Sequence, residues 1–168
     1  MLETKRLVII PLTFDQLVKY ITNDNSLEHD LGLNDSCREI SPDLKDALES
    51  TIMPNVANHD KDILYSTLWT MILKEEKKMV GDLCFVGEPN AEGEIEIGYG
   101  TYESYRNKGL MTEAVGAMID WAKTQTNVKT MLASTEKENT ASYSVLIKNH
   151  FTRLSESESL INWGLILK

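Results

Sequence analysis

The chain has 168 residues, a net charge of −9, 42% hydrophobic residues and 26% charged residues. These are the proportions of a folded globular chain, long enough for one domain (residues 1–168) and too short for two ordinary ones. So acidic a balance speaks against a general nucleic-acid binder, which needs a basic surface, and its long-range field favours cationic partners.

The N-terminal run Met1 to Arg6 lacks the apolar core of a signal peptide, and no apolar run approaches the roughly 18 residues of a membrane span. The only cysteines, Cys37 and Cys84, belong to no paired motif, and His29, His59 and His150 show no zinc spacing. A cytoplasmic chain with no metal site is expected. Asn34-Asp35-Ser36 matches a glycosylation acceptor, but without an export signal it reads as chance.

Leu7-Val8-Ile9-Ile10, ended by Pro11, reads as a first strand. Thr13 can cap a helix whose apolar positions Phe14, Leu17, Val18 and Ile21 recur at helical spacing. Asn23 to Ser41 is polar and turn-rich, a loop or broken helices. Ser41-Pro42-Asp43 starts another helix, with Leu44, Leu48, Ile52 and Val56 on its buried face.

The period changes near Leu64. Tyr65 to Leu73 and Met79 to Val86 read as strands joined by the charged connection Lys74 to Lys78, and Ile95 to Tyr102 as a third. A helix through Met111, Val115, Met118, Ile119 and Ala122 leads to a strand from Val128 to Thr135. A helix from about Thr140 to Asn149 and a strand pair around Phe151-Leu154 and Leu160-Leu167 complete the chain. The expected fold class is α/β, a mixed sheet of about six to seven strands with about four helices.

The stretch from Glu94 to Ala114 carries the chemistry: a strand, a short loop, and a helix opening at Gly109. A helix N-terminus leaves about four backbone N–H groups without intrahelical partners and carries partial positive charge, so it binds anions. Gly109 lets backbone approach a phosphate, and Arg106 and Lys108 add charge. The stretch fits neither the Walker pattern G-x-x-x-x-G-K-S/T nor the dinucleotide pattern G-x-G-x-x-G.

Tyr105-Arg106-Asn107-Lys108-Gly109-Leu110-Met111-Thr112-Glu113-Ala114 resembles the pyrophosphate loop of the GNAT acetyltransferase superfamily, R/Q-x-x-G-x-G/A. It is closer still to the ribosomal-protein N-acetyltransferase (RimJ/RimL-like) branch, with its Y-R-x-K-G-x-M-T-E-A. Met111 stands where many members have Gly or Ala. Glu3-Thr4-Lys5-Arg6-Leu7 resembles the branch's E-T-x-R-L, and Glu96-Ile97-Gly98-Tyr99 its strand motif. Asn139-Thr140-Ala141-Ser142, followed by Phe151, resembles N-x-x-S ending in G-F.

The resemblance implies an acetyl-CoA-dependent N-acetyltransferase, with coenzyme A in an opening between the strands around Ile97 and Met131. The pantetheine arm would bond to backbone near Ile97, Tyr99 and Thr101. The diphosphate would lie on Arg106, Asn107, Lys108, Gly109, Leu110, Met111 and Thr112. Asn139 would touch the cofactor, or serve as the N-cap of the helix that follows, or do both.

Acetyl transfer needs a neutral amine, a proton acceptor and stabilisation of the departing thiolate. Glu96 is the candidate base, where several GNAT enzymes carry a catalytic glutamate, and Glu94 is the reserve on the same strand face. The plain alternative is a solvated strand carboxylate. Many GNAT enzymes place a tyrosine acid where this chain has Leu146; Ser142 or water is the substitute donor, while Tyr143 reads as packing or surface. Ile10 stands where the branch often has Arg, and His150 replaces the glycine before Phe151. Trp69 and Trp163 read as core or acceptor-pocket walls, Trp121 as packing.

The expected acceptor is a primary amine, on a protein N-terminus or a small molecule, with carboxylates within Asn23 to Asn58 lining its site. A homodimer is expected by likeness. The other reading is a non-catalytic acyl-CoA-binding module of the same fold.

Overall fold

Apolar strands at the centre of the chain build a single eight-stranded sheet, in the computed structural model that describes Met1 to Lys168. The strands are β1 (Leu2–Glu3), β2 (Leu7–Pro11), β3 (Leu68–Leu73), β4 (Lys78–Phe85), β5 (Glu94–Thr101), β6 (Thr130–Glu136), β7 (Thr152–Glu156) and β8 (Leu160–Ile166). They lie in the order β1-β2-β3-β4-β5-β6-β8-β7. Only β5 and β6 run parallel, and the long helix that connects them is the crossover such a pair requires.

One strand more than expected comes from β1, whose two residues pair with Val8 and Ile9 and are too short to show a period. The expected strand from Tyr65 begins instead at Leu68. Asp62 caps a helical turn, α5 (Ile63–Ser66), by accepting the Leu64 N–H, so Tyr65 enters the core from a helix. Between β2 and β3 lie α1 (Phe14–Thr22), α2 (Ser26–Asp30), α3 (Pro42–Ala47) and α4 (Met53–Ala57), and after β5 come α6 (Leu110–Thr124) and α7 (Thr140–Lys148). No helix is long and apolar enough to cross a membrane.

Local chemistry explains the helix boundaries. Thr13 and Gln16 form a reciprocal capping box at α1, and Ser41 caps α3 with Pro42 in its first turn. Between α3 and α4 the chain widens into a π-helical segment, Leu48–Ile52. The cause is Pro54, which lacks an N–H and crowds the carbonyl four residues back. Leu48 and Ile52 are buried, as their spacing predicts, while Leu44 and Val56 are half-buried.

Of the run Asn23 to Ser41, only α2 is helical. It is anchored by an ion pair between Glu28 and Arg38, 2.8 Å long, with both side chains fully buried. Leaving one such charge unpaired costs about 3–5 kcal/mol, so this pair fixes where an otherwise irregular segment sits.

Each face of the sheet carries its own apolar cluster. One packs α6 and α7 against Leu7, Trp69, Leu83, Ile95, Ile97 and Met131; the other packs α1 to α4 against Leu68, Ile72 and Met79. Trp69 and Trp163 belong to the first, so they are core, and Trp121 packs between Tyr65, Trp69 and Phe85.

Candidate active site

The sheet forks at Glu96. Pairing of β5 with β6 runs through Glu94–Thr130, Ile95–Met131 and Glu96–Leu132 and then stops, although β5 stays paired with β4 to Thr101. The phase of the β4 ladder is set by the Val86 N–H bonding the Glu96 carbonyl and the Tyr102 N–H bonding the Val80 carbonyl. Backbone groups of Glu96, Gly98 and Gly100 therefore face β4, while those of Ile97, Tyr99 and Thr101 face the fork. Beyond Ile97 no strand meets them, which leaves a free edge for an extended ligand.

A groove of about 520 Å3 opens along that edge. Its walls include Tyr99, Thr101, the whole run Arg106 to Thr112, Asn139 and Ser142. Ile97 is 2% exposed, with its side chain in the core, so any role at the fork falls to its backbone.

The turn into α6 leaves the helix N-terminus without a side-chain cap. Gly109 is the N-cap in the left-handed region (φ 71°), Asn107 is also left-handed (φ 61°), and no side chain caps the helix. The first-turn amides of Leu110, Met111 and Thr112 are therefore open to the groove. Arg106 and Lys108 stand beside them, Lys108 with its ammonium 4.7 Å from the Tyr105 ring centre.

A brace not apparent from the sequence holds this turn. The Arg6 Nε donates to Glu113 on α6 at 2.7 Å, the Arg6 N–H donates to the same carboxylate, and Arg6 Nη1 donates to the Lys108 carbonyl at 2.9 Å. Thr4 also donates to Glu113. Burial alone would raise the Glu113 carboxyl, but the bonds from Thr4 and Arg6 outweigh it and hold it below the ordinary range. The quoted motifs E-T-x-R-L and T-E-A contain these residues, yet spacing of 107 positions hides their contact.

On the opposite wall, the Asn139 side chain accepts the Ser142 N–H at 3.0 Å, so it caps α7 while lining the groove. The Tyr99 hydroxyl donates to the Ser142 carbonyl at 2.8 Å and accepts from Ser142 Oγ at 3.3 Å. Burial pushes the Tyr99 phenol up to about 12. Leu146 is fully buried in the core. Lys148 lines the groove as well, three residues beyond Val145 on the helix side shared with Ser142, a spacing visible in the sequence but not used.

Glu94, Glu96 and Gly98 alternate with the core residues Ile95 and Ile97, so they point to the other face of the sheet. Glu96 is half-buried there, close enough to Cys84 that its charge, after burial and Asp82, helps push the thiol up to about 11. A second cavity, of about 690 Å3, lies on that face and meets the groove at Tyr99, Gly100, Thr101, Tyr105 and Arg106. Its other walls include Glu39 to Pro42 and Leu44, Asp82 and Cys84 on β4, and Glu103. Of the acidic run expected at the acceptor site, Glu39 lines this cavity and Asp24 and Asp30 do not. No three or more His, Cys, Asp or Glu side chains converge as metal ligands would.

A forked mixed sheet with an uncapped, glycine-opened helix beside the fork defines the fold class shared by the GNAT acetyltransferases. The model for the acetyltransferase (GNAT) domain matches residues 6–152, and the chain belongs to that family. The uncharacterized N-acetyltransferase YjdG of Bacillus subtilis (strain 168) is 33% identical over 100 residues, 60% of each chain. The uncharacterized N-acetyltransferase p20 of Bacillus licheniformis is 33% identical over 78 residues, 46% of this chain and 44% of that one. The matched stretch thus spans between under half and about three fifths of these relatives.

Solved structures share the fold over nearly the full length. A GNAT-family acetyltransferase from Bacillus anthracis superposes with a TM-score of 0.66 at 20% identity, covering 99% of this chain and 98% of that one. RimL, a ribosomal L7/L12 alpha-N-protein acetyltransferase in complex with coenzyme A, gives 0.70 at 15% identity, covering 97% and 95%. The ribosomal-protein-S5-alanine acetyltransferase from Vibrio fischeri gives 0.68 at 19%, covering 98% and 94%.

Proposed function

We propose that the protein is an acetyl-CoA-dependent N-acetyltransferase that modifies a primary amine. The observation that carries this is that two cavities share Tyr99 to Thr101, Tyr105 and Arg106 as walls, just beyond the fork. One is walled by an anion-binding helix terminus and a free strand edge, the other by carboxylates and apolar side chains.

The groove residues fit coenzyme A. Open amides at Leu110 to Thr112, with Arg106, Lys108 and Lys148, would hold its phosphates, and the backbone of Tyr99 and Thr101 would pair with the pantetheine amides. The bound thioester supplies the acetyl group. Glu96, direct or through water, would take the proton from the attacking nitrogen, and Ser142, whose hydroxyl lies beside Tyr99, would turn to donate a hydrogen bond to the departing thiolate, which solvent then protonates.

The acceptor amine is either a small molecule or a protein N-terminus, the latter being what RimL acts on. The protein is proposed to work in the cytoplasm, as a homodimer joined through an edge of the sheet. The test is a panel of primary amines with acetyl-CoA, reading out free thiol and identifying the product by mass. Thiol release that depends on an amine is the expected result; coenzyme A binding without turnover of any amine would favour the non-catalytic acyl-CoA-binding reading instead.

A further inference from the structure

Asp82 lies on β4, is 5% exposed, and is one of the walls of the second cavity. Its Oδ2 accepts hydrogen bonds from Tyr20 at 2.6 Å and Tyr102 at 2.8 Å. Its Oδ1 is buried and makes no hydrogen bond, while the Thr70 hydroxyl on the neighbouring strand is aimed at the Gly81 carbonyl. A buried carboxylate with an unmet acceptor is costly unless something supplies a donor.

The surrounding charge does not balance it. The nearest cation, Arg38, lies over the Tyr20 ring with its carbon 4.7 Å from the ring centre, but is already paired with Glu28. Two buried anions thus face one buried cation, and Glu39 and Glu103 add negative charge at the cavity wall. Burial pushes the Asp82 carboxyl up to about 6, against the hydroxyls of Tyr20, Tyr102 and Thr70 and the charge of Arg38.

The floor between Asp82 and Glu96 is bare backbone. Asp82 sits opposite Gly100, and Cys84 opposite Gly98. A Cβ built on Gly100 would meet nothing within 4 Å, and one on Gly98 would meet only the Cys84 sulfur at 3.5 Å. Glu96 follows on the same face, four residues along β5 from Gly100, so roughly 13 Å of strand lies between the two Cα positions, a gap their side chains narrow.

A carboxylate that stabilises an ammonium works against the neutral nitrogen that acetyl transfer needs. Asp82 is therefore suited to a charge that does not react. We propose that Asp82, framed by Tyr20 and Tyr102, anchors a second cationic group of the acceptor, which makes the preferred acceptor an aliphatic diamine. This rests on the acetyltransferase reading above and adds the substrate class.

The experiment compares acetylation of 1,5-diaminopentane and of n-pentylamine by the wild-type protein and by Asp82→Asn, with coenzyme A affinity measured in both. The wild type should favour the diamine in kcat/KM by about tenfold to a hundredfold, the size of one charge-assisted hydrogen bond. In Asp82→Asn that ratio should fall to near one, chiefly through KM, with coenzyme A affinity retained. A wild type that uses both amines equally, or a variant that keeps the preference, overturns the proposal. Should Asp82→Asn not fold, crystals of the wild type soaked with coenzyme A and 1,5-diaminopentane decide: an ammonium beside Asp82 supports it, and a diamine bound elsewhere overturns it. Failure of every amine to react is different, since it removes the acetyltransferase reading itself.

Discussion

Arg6 and Glu113 close a bond across 107 positions of sequence, and through it the N-terminal segment holds the turn that opens α6. One guanidinium bonds the Glu113 carboxylate and the Lys108 carbonyl together, which sets the direction of the amides between them. The pair is partly exposed, with side chains 41% and 20% accessible, so its worth to global stability is at most about 1 kcal/mol. Its effect should fall on the ligand. Arg6→Ala is expected to weaken coenzyme A binding by about tenfold in calorimetry with little change in melting temperature. Arg6→Lys should not restore it, because an ammonium cannot make the forked contact.

Gly109 is left-handed, and a methyl group there would sit 3.6 Å from the Arg6 guanidinium, an ordinary contact. The cost of Gly109→Ala is therefore conformational, about 1–2 kcal/mol. Thermal denaturation should show a drop of roughly 2–8 °C, with weaker coenzyme A binding alongside. An unchanged melting temperature would show that the turn relaxes without strain.

Glu96→Gln separates binding from chemistry. Coenzyme A affinity should survive, since the carboxylate points to the opposite face from the groove, while turnover should fall by about a hundredfold or more. Equal turnover would remove Glu96 from the mechanism and leave a solvated strand carboxylate.

Asp82 makes an opposite prediction for stability. Its carboxyl is raised to about 6 in the fold from an ordinary 3.8, so the folded state binds the proton more tightly than the unfolded one. Stability is therefore lost as pH rises from the ordinary value through about 6, by up to about 3 kcal/mol. Tyr20, Tyr102, Cys84 and the Arg38–Glu28 pair face the same region, and the two phenols and the thiol are raised in their turn, out of this window. The melting temperature of Asp82→Asn relative to wild type should increase between pH 4 and pH 8. A gap that shrinks over that range would show that the native carboxylate is stabilising.

Much of this site can be read from the sequence because its parts are contiguous. The strand Glu94–Thr101, the turn at Gly109 and the helix it opens lie within one short stretch, where periodicity and an uncapped glycine speak for themselves. Asn139 as a cap was legible for the same reason. What was hidden depends on distant contacts. The Arg6 brace, the Tyr99–Ser142 pair and the convergence of Tyr20, Tyr102 and Asp82 need strand order and register, which no local pattern encodes. Tyr65 was misread because an apolar aromatic next to a strand has strand-like propensity, and the Asp62 cap overrides it.

The central claim is that the turn at Gly109 grips a diphosphate. Its most direct test is an amide-resolved NMR titration of the protein with coenzyme A. The account predicts that the N–H signals of Lys108 to Thr112 shift most, saturating together with those of Tyr99 and Thr101 at the fork. Saturating shifts confined to other parts of the chain, or no binding at all, would contradict it.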